Sequence, residues 1–529
     1  MKKRMVEMVV AATLAVFVIC DTSANAQKAN KNDKKAESPV KAEAVYKPWT
    51  LDESLKSQQP VFNDSLDTNA AKSYLTNYFF ARWTDEKNAN LLKEYRAELD
   101  RLTQGASGSG KEKALNGAAG NLKQIYESPN IYPACRYNAI SAFGALESER
   151  GVLWAKTIPH LVNAYQPQSG DSAKDEAEKA KRLADPAYEA IRIGALLGII
   201  RHVQMGISDV KVRDAQVVPL LIDLAADTPH KPTADNTDET DNSITVTTDT
   251  SAVGTQEPQR TVEQHDWFRL RAIQSLGYLK ASQEQSKIIA TLLTLIKDKN
   301  ERPDVRYEAA FSLSQLDIIA SGVSLDDVTE ALVTLSINVC DDGIQFMIRE
   351  MTSQQVVGST GGGSMSGMDA GYSGGSMGGG VTSQMQADQI NNSISQIKYG
   401  FSSILACVAG ADYKKGGLMT LDAVKNTPSL EILVNMNKAV SECIEFLEKG
   451  DPEAAKRRTA ALTTGMDSVA SSTSMAGTAT ATVKNQPNVT MNEINTRLTS
   501  LRQELEILQK TIANPTASAA TNATTAKTK

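Results

Sequence analysis

The 529-residue sequence predicts an all-α chain in which pairs of helices stack into a superhelix. Two observations carry that prediction. Apolar residues recur at helical spacing through most of the chain, and one pattern built on Arg and Ala returns at four places. Composition agrees: aromatic residues make up only 5%, and runs of Ala, Leu and Ile suit helix-on-helix packing.

The first 26 residues read as an export signal. Lys2, Lys3 and Arg4 form a positive start, Val9 to Cys20 is apolar apart from Thr13, and Ala24-Asn25-Ala26 is a small-x-small cleavage site. The apolar run is short for a bilayer span, so cleavage after Ala26 and a periplasmic or secreted product are expected. Lipid attachment at Cys20 is disfavoured by the large Ile19 before it. Residues 27–68 are mostly polar, with Lys28, Lys31, Lys34, Lys35 and Lys41 among Asp, Glu and Ser, and read as a disordered spacer. Residues 69–128 read as an N-terminal helical cap. Tyr74, Leu75, Tyr78, Phe79 and Arg82 mark its first helix, Leu91, Leu92, Tyr95, Leu99 and Leu102 its second, and Leu115, Leu122 and Ile125 its third, with a break at Gly105–Gly110.

Residues 129–340 hold the repeated pattern. Cys135, Ala139, Phe143 and Leu146 are spaced by 4, 4 and 3, which sets them on one helical face. Ile191, Ala195, Ile199 and His202 repeat the spacing, as do Phe268, Ala272, Leu276 and Leu279, and Val305, Ala309, Leu313 and Leu316. An Arg stands three positions before each Ala: Arg136, Arg192, Arg269 and Arg306. The small Ala lets a neighbouring helix come close. Each segment is followed by a second apolar helix, at Ile158–Val162, Val218–Ile222, Ile289–Leu293 and Thr329–Val333. A pair with one apolar face per helix cannot bury itself alone, whereas stacked pairs share a continuous core.

Arg302-Pro303-Asp304-Val305-Arg306-Tyr307-Glu308-Ala309-Ala310 is similar to the first-helix signature of HEAT repeats, and Asp266-Trp267-Phe268-Arg269-Leu270-Arg271-Ala272, ending in Leu276-Gly277, is a second match. Pro159 and Pro219 resemble the proline of that family's second helix. The motif arginines are 56, 77 and 37 positions apart, so only the last interval approaches the roughly 40–47 residues of such repeats. Insertions at Ala173–Asp185 and at 229–260 account for the other two. The resemblance implies a curved surface for binding proteins. The arginines are expected to pair with carboxylates or carbonyls of the neighbouring repeat, with a ligand-binding ridge as the alternative.

Beyond Cys340, residues 341–382 read as a Gly/Ser/Met-rich linker, 383–459 as C-terminal helices and 460–490 as a Thr/Ser/Ala linker. In 491–513, Met491, Ile494, Leu498, Leu501, Leu505, Leu508 and Ile512 repeat at 3, 4, 3, 4, 3 and 4, an unbroken heptad seam. It is expected to form a coiled coil that self-associates or docks a partner helix, with docking back onto the solenoid as its last amphipathic helix left open. Residues 514–529 read as a disordered tail.

The chain carries a net charge of −6, and removing the signal's three cations and two anions leaves −7, which disfavours nucleic acid as a partner. No later segment has the uninterrupted apolar length of a membrane span. Cys135, Cys340, Cys407 and Cys443 lack metal-ligand spacing and read as buried apolar residues, with a Cys407–Cys443 bridge left open. His160, His202, His230 and His265 form no H-x-x-x-H pair, and neither G-x-S-x-G nor a phosphate loop leading to Lys-Ser/Thr is present. Met365, Met368 and Met377 lack the His or Cys that a copper site would add. No cofactor and no catalytic role are expected. The function expected is a non-catalytic scaffold outside the cytoplasm that binds protein partners. The alternatives are a self-assembling structural component of the envelope and a HEAT-like lyase-type enzyme subunit.

Overall fold

A computed structural model describes residues 46–64, 67–166, 181, 184–227, 261–359, 379–410, 417–421, 424, 425, 427–449 and 491–513. The signal at 1–26, the spacer up to residue 45, the insertion at 229–260, the methionines at 365–377, the 460–490 linker and the 514–529 tail lie outside the described residues. The chain divides into two units. Residues 1–45 with 448–489 form one, almost wholly outside the description. Tyr46–Leu447 with Thr490–Lys529 form the other, which holds every contact discussed below.

Among the described residues 76% are helical and 2% are strand, so the class is all-α. The cap comprises α1 (Thr68–Tyr74), α2 (Leu92–Gln104) and α3 (Gly108–Glu127). The repeat region comprises α4 (Pro133–Phe143), α5 (Ile158–Tyr165), α6 (Tyr188–Met205), α7 (Val218–Ala226), α8 (Val262–Gly277), α9 (Gln285–Lys297) and α10 (Pro303–Leu313). After these come α11 (Leu325–Ser359), α12 (Gly379–Ala409), α13 (Pro428–Lys449) and α14 (Met491–Ala513). Local sequence sets the ends. Asp67 caps α1 by accepting from the Asn69 and Ala70 amides, and Thr261 with Gln264 forms a capping box on α8. Pro133 and Pro303 open α4 and α10, where a missing N–H costs nothing. A two-stranded hairpin, β1 (Glu147–Glu149) and β2 (Val152–Leu153), turns at Gly151 with φ of 79°.

All sixteen residues of the 4, 4, 3 pattern are buried, and Ala139, Ala195, Ala272 and Ala309 expose no surface at all. The first helices touch in a row: α4 meets α6, α6 meets α8, α8 meets α10 and α10 meets α12. Second helices touch likewise, α7 against α9 and α9 against α11.

Three expectations change. The spacer does not run to residue 68. Residues 46–64 lie as a strap with one 3-10 turn at Glu53–Leu55, with Lys47 N donating to Asn130 O, Trp49 N to Thr84 Oγ1 and Asp52 N to Asn77 O. Its polar composition hides a few anchors: Tyr46 meets Tyr132 edge-on and Phe62 is buried. The linker does not begin at 341 either. Helix α11 continues to Ser359, because Gly343 and Met347 keep its buried face going past Cys340. By length and composition alone, Leu325–Glu350 could cross a membrane, and over half of its most apolar stretch is buried inside the molecule.

The third concerns 491–513. These residues form one helix, and α14 is seated against helices of its own chain. Ile494, Leu498, Leu501 and Leu505 are buried within the chain, while Leu508 and Ile512 are half-buried. Asp326 with Ser429 and Ser336 with Met436 show that α11 and α13 run in the same direction. Arg502 with Asp341 and Gln509 with Thr334 show that α14 runs antiparallel to α11. An apolar seam closes as well on a helix of its own chain as on a foreign one, and burying four such side chains contributes about 1.5–3 kcal/mol each.

Candidate interaction surfaces

The repeat arginines act as clasps between helices. Arg136 Nε donates to the Tyr126 carbonyl ten positions back, at the end of α3, over 3.0 Å. Arg306 does the same to Ile296, also ten positions back, with Nε at 3.2 Å and Nη2 at 3.1 Å. Arg269 reaches Ala225, at the end of α7, with both nitrogens at 3.3 Å, although 44 positions separate them. The carbonyls so engaged belong to the last turn of a helix, where no intrahelical donor is available. Arg192 differs: its guanidinium lies over the Tyr165 ring and pairs with Glu189 within its own helix.

Two clasps also reach forward. Arg136 holds both oxygens of Asp185, at 2.7 and 2.6 Å, just ahead of α6. Arg269 holds both oxygens of Glu301, just ahead of α10. Burial pushes the Asp185 carboxyl up, but the Arg136 bonds, the Ala187 amide and the Arg136 charge outweigh it and hold the group below its ordinary value. Glu301 is lowered in the same way: burial opposes, and Arg269, the Arg302 amide and both guanidinium charges prevail. Asp227 and His265, on either side of the 228–260 segment, meet at 2.9 Å, so the ends of that insertion are held together.

Glycines set a second recurring contact. A Cβ on Gly144 would lie 2.7 Å from the Gly198 Cα, and one on Gly277 would lie 3.0 Å from the Ser312 Cα. Gly144 and Gly277 occupy the same place after their motif arginines, as do Gly198 and Ser312. The sequence pattern included Gly277 but did not single out Gly144, Gly198 and Ser312 or the acids Asp185 and Glu301. An acid shortly before the next first helix, and a Gly eight positions after the motif Arg, were the signals available.

Other polar groups are distributed among the helices. His202 is buried, its Nε2 2.9 Å from Thr157 Oγ1, and burial next to Arg201 pulls its pKa down to about 4. His160 sits on the exposed side of α5, edge-on to Phe143. Tyr399 of α12 donates to Glu308 of α10, and burial pushes the Glu308 carboxyl up. Arg96 Nη2 donates to the Asn138 side chain at 2.7 Å, and Asp100, Glu147 and Arg201 lie within electrostatic reach. Cys135, Cys340, Cys407 and Cys443 are free thiols, all buried. Burial pushes Cys135, Cys407 and Cys443 up to about 12, which leaves them protonated and poor nucleophiles at neutral pH. Among the described residues no three His, Cys, Asp or Glu side chains are grouped to hold a metal ion.

Helix α14 sits in a seat of its own chain. Gly343 gives it a notch: a Cβ there would come within 2.8 Å of Leu498 Cδ1 and 2.9 Å of Ile397 Cδ1. Arg502 pairs with Asp341 on α11, and Arg497 pairs with Glu442 on α13 at 3.3 Å. Comparison with protein-family models, with curated proteins and with solved structures finds no match.

Proposed function

We propose that this chain is an exported, non-catalytic scaffold whose helices form a HEAT-like superhelix presenting a surface to protein partners. The recurrence of one contact set at equivalent positions carries the reading. A motif Arg on a last-turn carbonyl of the preceding helix occurs three times, at Arg136, Arg269 and Arg306. A small-residue contact between successive first helices occurs twice, at Gly144 with Gly198 and Gly277 with Ser312. Repeated contacts impose a repeated rotation and rise between neighbours, which is how a stack acquires an extended curved face. The N-terminal charge and apolar run support export.

Affinity purification of the native protein from the envelope fraction tests this function. One other protein in fixed proportion supports the scaffold. Recovery of this chain alone supports a self-assembling envelope component instead. A cytosolic protein that retains Met1 overturns export, for which the mature chain starts at Gln27.

A further inference from the structure

Helix α14 fills a groove formed by α11 and α13, and its connection to that groove is longer than the arrangement needs. Arg497, near the start of α14, lies 3.3 Å from Glu442, near the end of α13. Antiparallel helix neighbours placed so are ordinarily joined by about 2–8 residues. Here residues 450–490 intervene, which at no more than about 3.6 Å per residue can reach about 150 Å.

The groove recognises its helix by features that any copy of the chain carries. Gly343 receives Leu498, and Leu501 and Leu505 further along the helix are fully buried. Asp341 and Glu442 on the groove meet Arg502 and Arg497 on the helix, so the charges are complementary. In the last turns of the helix Leu508 and Ile512 are half-covered and Ile507 is 64% exposed.

We propose that the groove between α11 and α13 also accepts α14 of a second copy, so that chains exchange their C-terminal helices. The contacts made by the foreign helix are those made by the chain's own. The balance between the two therefore rests on effective concentration, which is about millimolar for short flexible linkers and falls with linker length. Reciprocal exchange closes a dimer, and one-way exchange builds an open row of chains. Exchange between copies is independent of whether another protein binds the repeat surface, so its failure leaves the scaffold function standing.

Thr334 Oγ1 and Gln509 Nε2 are 3.1 Å apart across the seat, which provides the test. Mature full-length Thr334→Cys protein is mixed with mature full-length Gln509→Cys protein and treated with a short bis-maleimide. The native cysteines are buried, and the wild-type chain serves as the reagent control. A Thr334→Cys, Gln509→Cys double variant, cross-linking within one chain, reports that the seat forms. The expected result is a cross-linked dimer several-fold above the level given by either single variant alone, with a yield rising with protein concentration. If the double variant cross-links internally but the mixture never exceeds the single-variant background up to about millimolar chain, exchange is overturned. Failure of both cross-links overturns the seat itself, and the proposal with it.

Discussion

Arg269 binds both oxygens of Glu301 and the carbonyl of Ala225 at once, so one buried guanidinium ties the end of α7 to the chain leading into α10. Removing the cation leaves a carboxylate only 6% exposed with its main partner gone. Arg269→Met should therefore cost about 3–5 kcal/mol in urea unfolding. Arg269→Met combined with Glu301→Gln should lose clearly less, because the stranded charge goes too. Equal losses in both proteins would show that the carboxylate is not stranded and the clasp is not energetically coupled.

Glycine positions separate close contact from helix propensity. Gly144→Ala pushes a methyl into the Gly198 backbone and should destabilise by about 1–3 kcal/mol. Gly120, on the exposed side of α3, has nothing within 4 Å of its would-be Cβ. Gly120→Ala should stabilise by about 0.5–1 kcal/mol. Thermal melts of the two variants moving in the same direction would contradict the α4–α6 contact.

His202 makes stability depend on pH with a definite sign. Its folded pKa, about 4, lies below the ordinary 6.5, so between these values the unfolded chain binds the extra proton. The contribution is complete above pH 6.5 and is lost as pH falls towards 4, by at most about 3 kcal/mol. His202→Gln should flatten the stability profile across that window while leaving the slope below it, where Asp185 and Glu301 are protonated. An unchanged slope between pH 4 and 6.5 would remove His202 as its source.

A brief digestion with a broad protease should cut first within 229–258, where the sequence is polar and rich in Thr, Asp and Asn. The two fragments should still elute together, since Asp227 meets His265 and Ala225 meets Arg269 across the ends of that segment. Fragments that separate in buffer would show that those ends do not hold α7 to α8.

The sequence shows the repeat core well because burial there is dictated locally. Ala139, Ala195, Ala272 and Ala309 follow a spacing that any α-helix turns into one face. It shows the partners of that core poorly. Whether Asp185 or Glu189 takes Arg136 depends on how α4 and α6 approach, and spacing within one helix carries no such information. The strap escapes notice because three aromatic anchors, Tyr46, Trp49 and Phe62, are diluted among polar residues. The seam of α14 is legible as a seam, yet a heptad specifies that a partner exists without saying which chain supplies it.

The C-terminal helices differ from the repeats in how far apart along the chain their contacts lie. Arg306 finds Ile296 ten positions away, whereas Arg502 must find Asp341 across 161. At a synthesis rate of about 5–20 residues per second, Asp341 emerges on the order of ten seconds or more before Arg502 exists. Contacts of such high sequence separation also form slowly. Over that interval α4 to α10 can pack on one another, while the apolar wall around Gly343 stands open. The nascent chain's period of greatest exposure to chaperones and to aggregation is thus set by the distance to its own last helix.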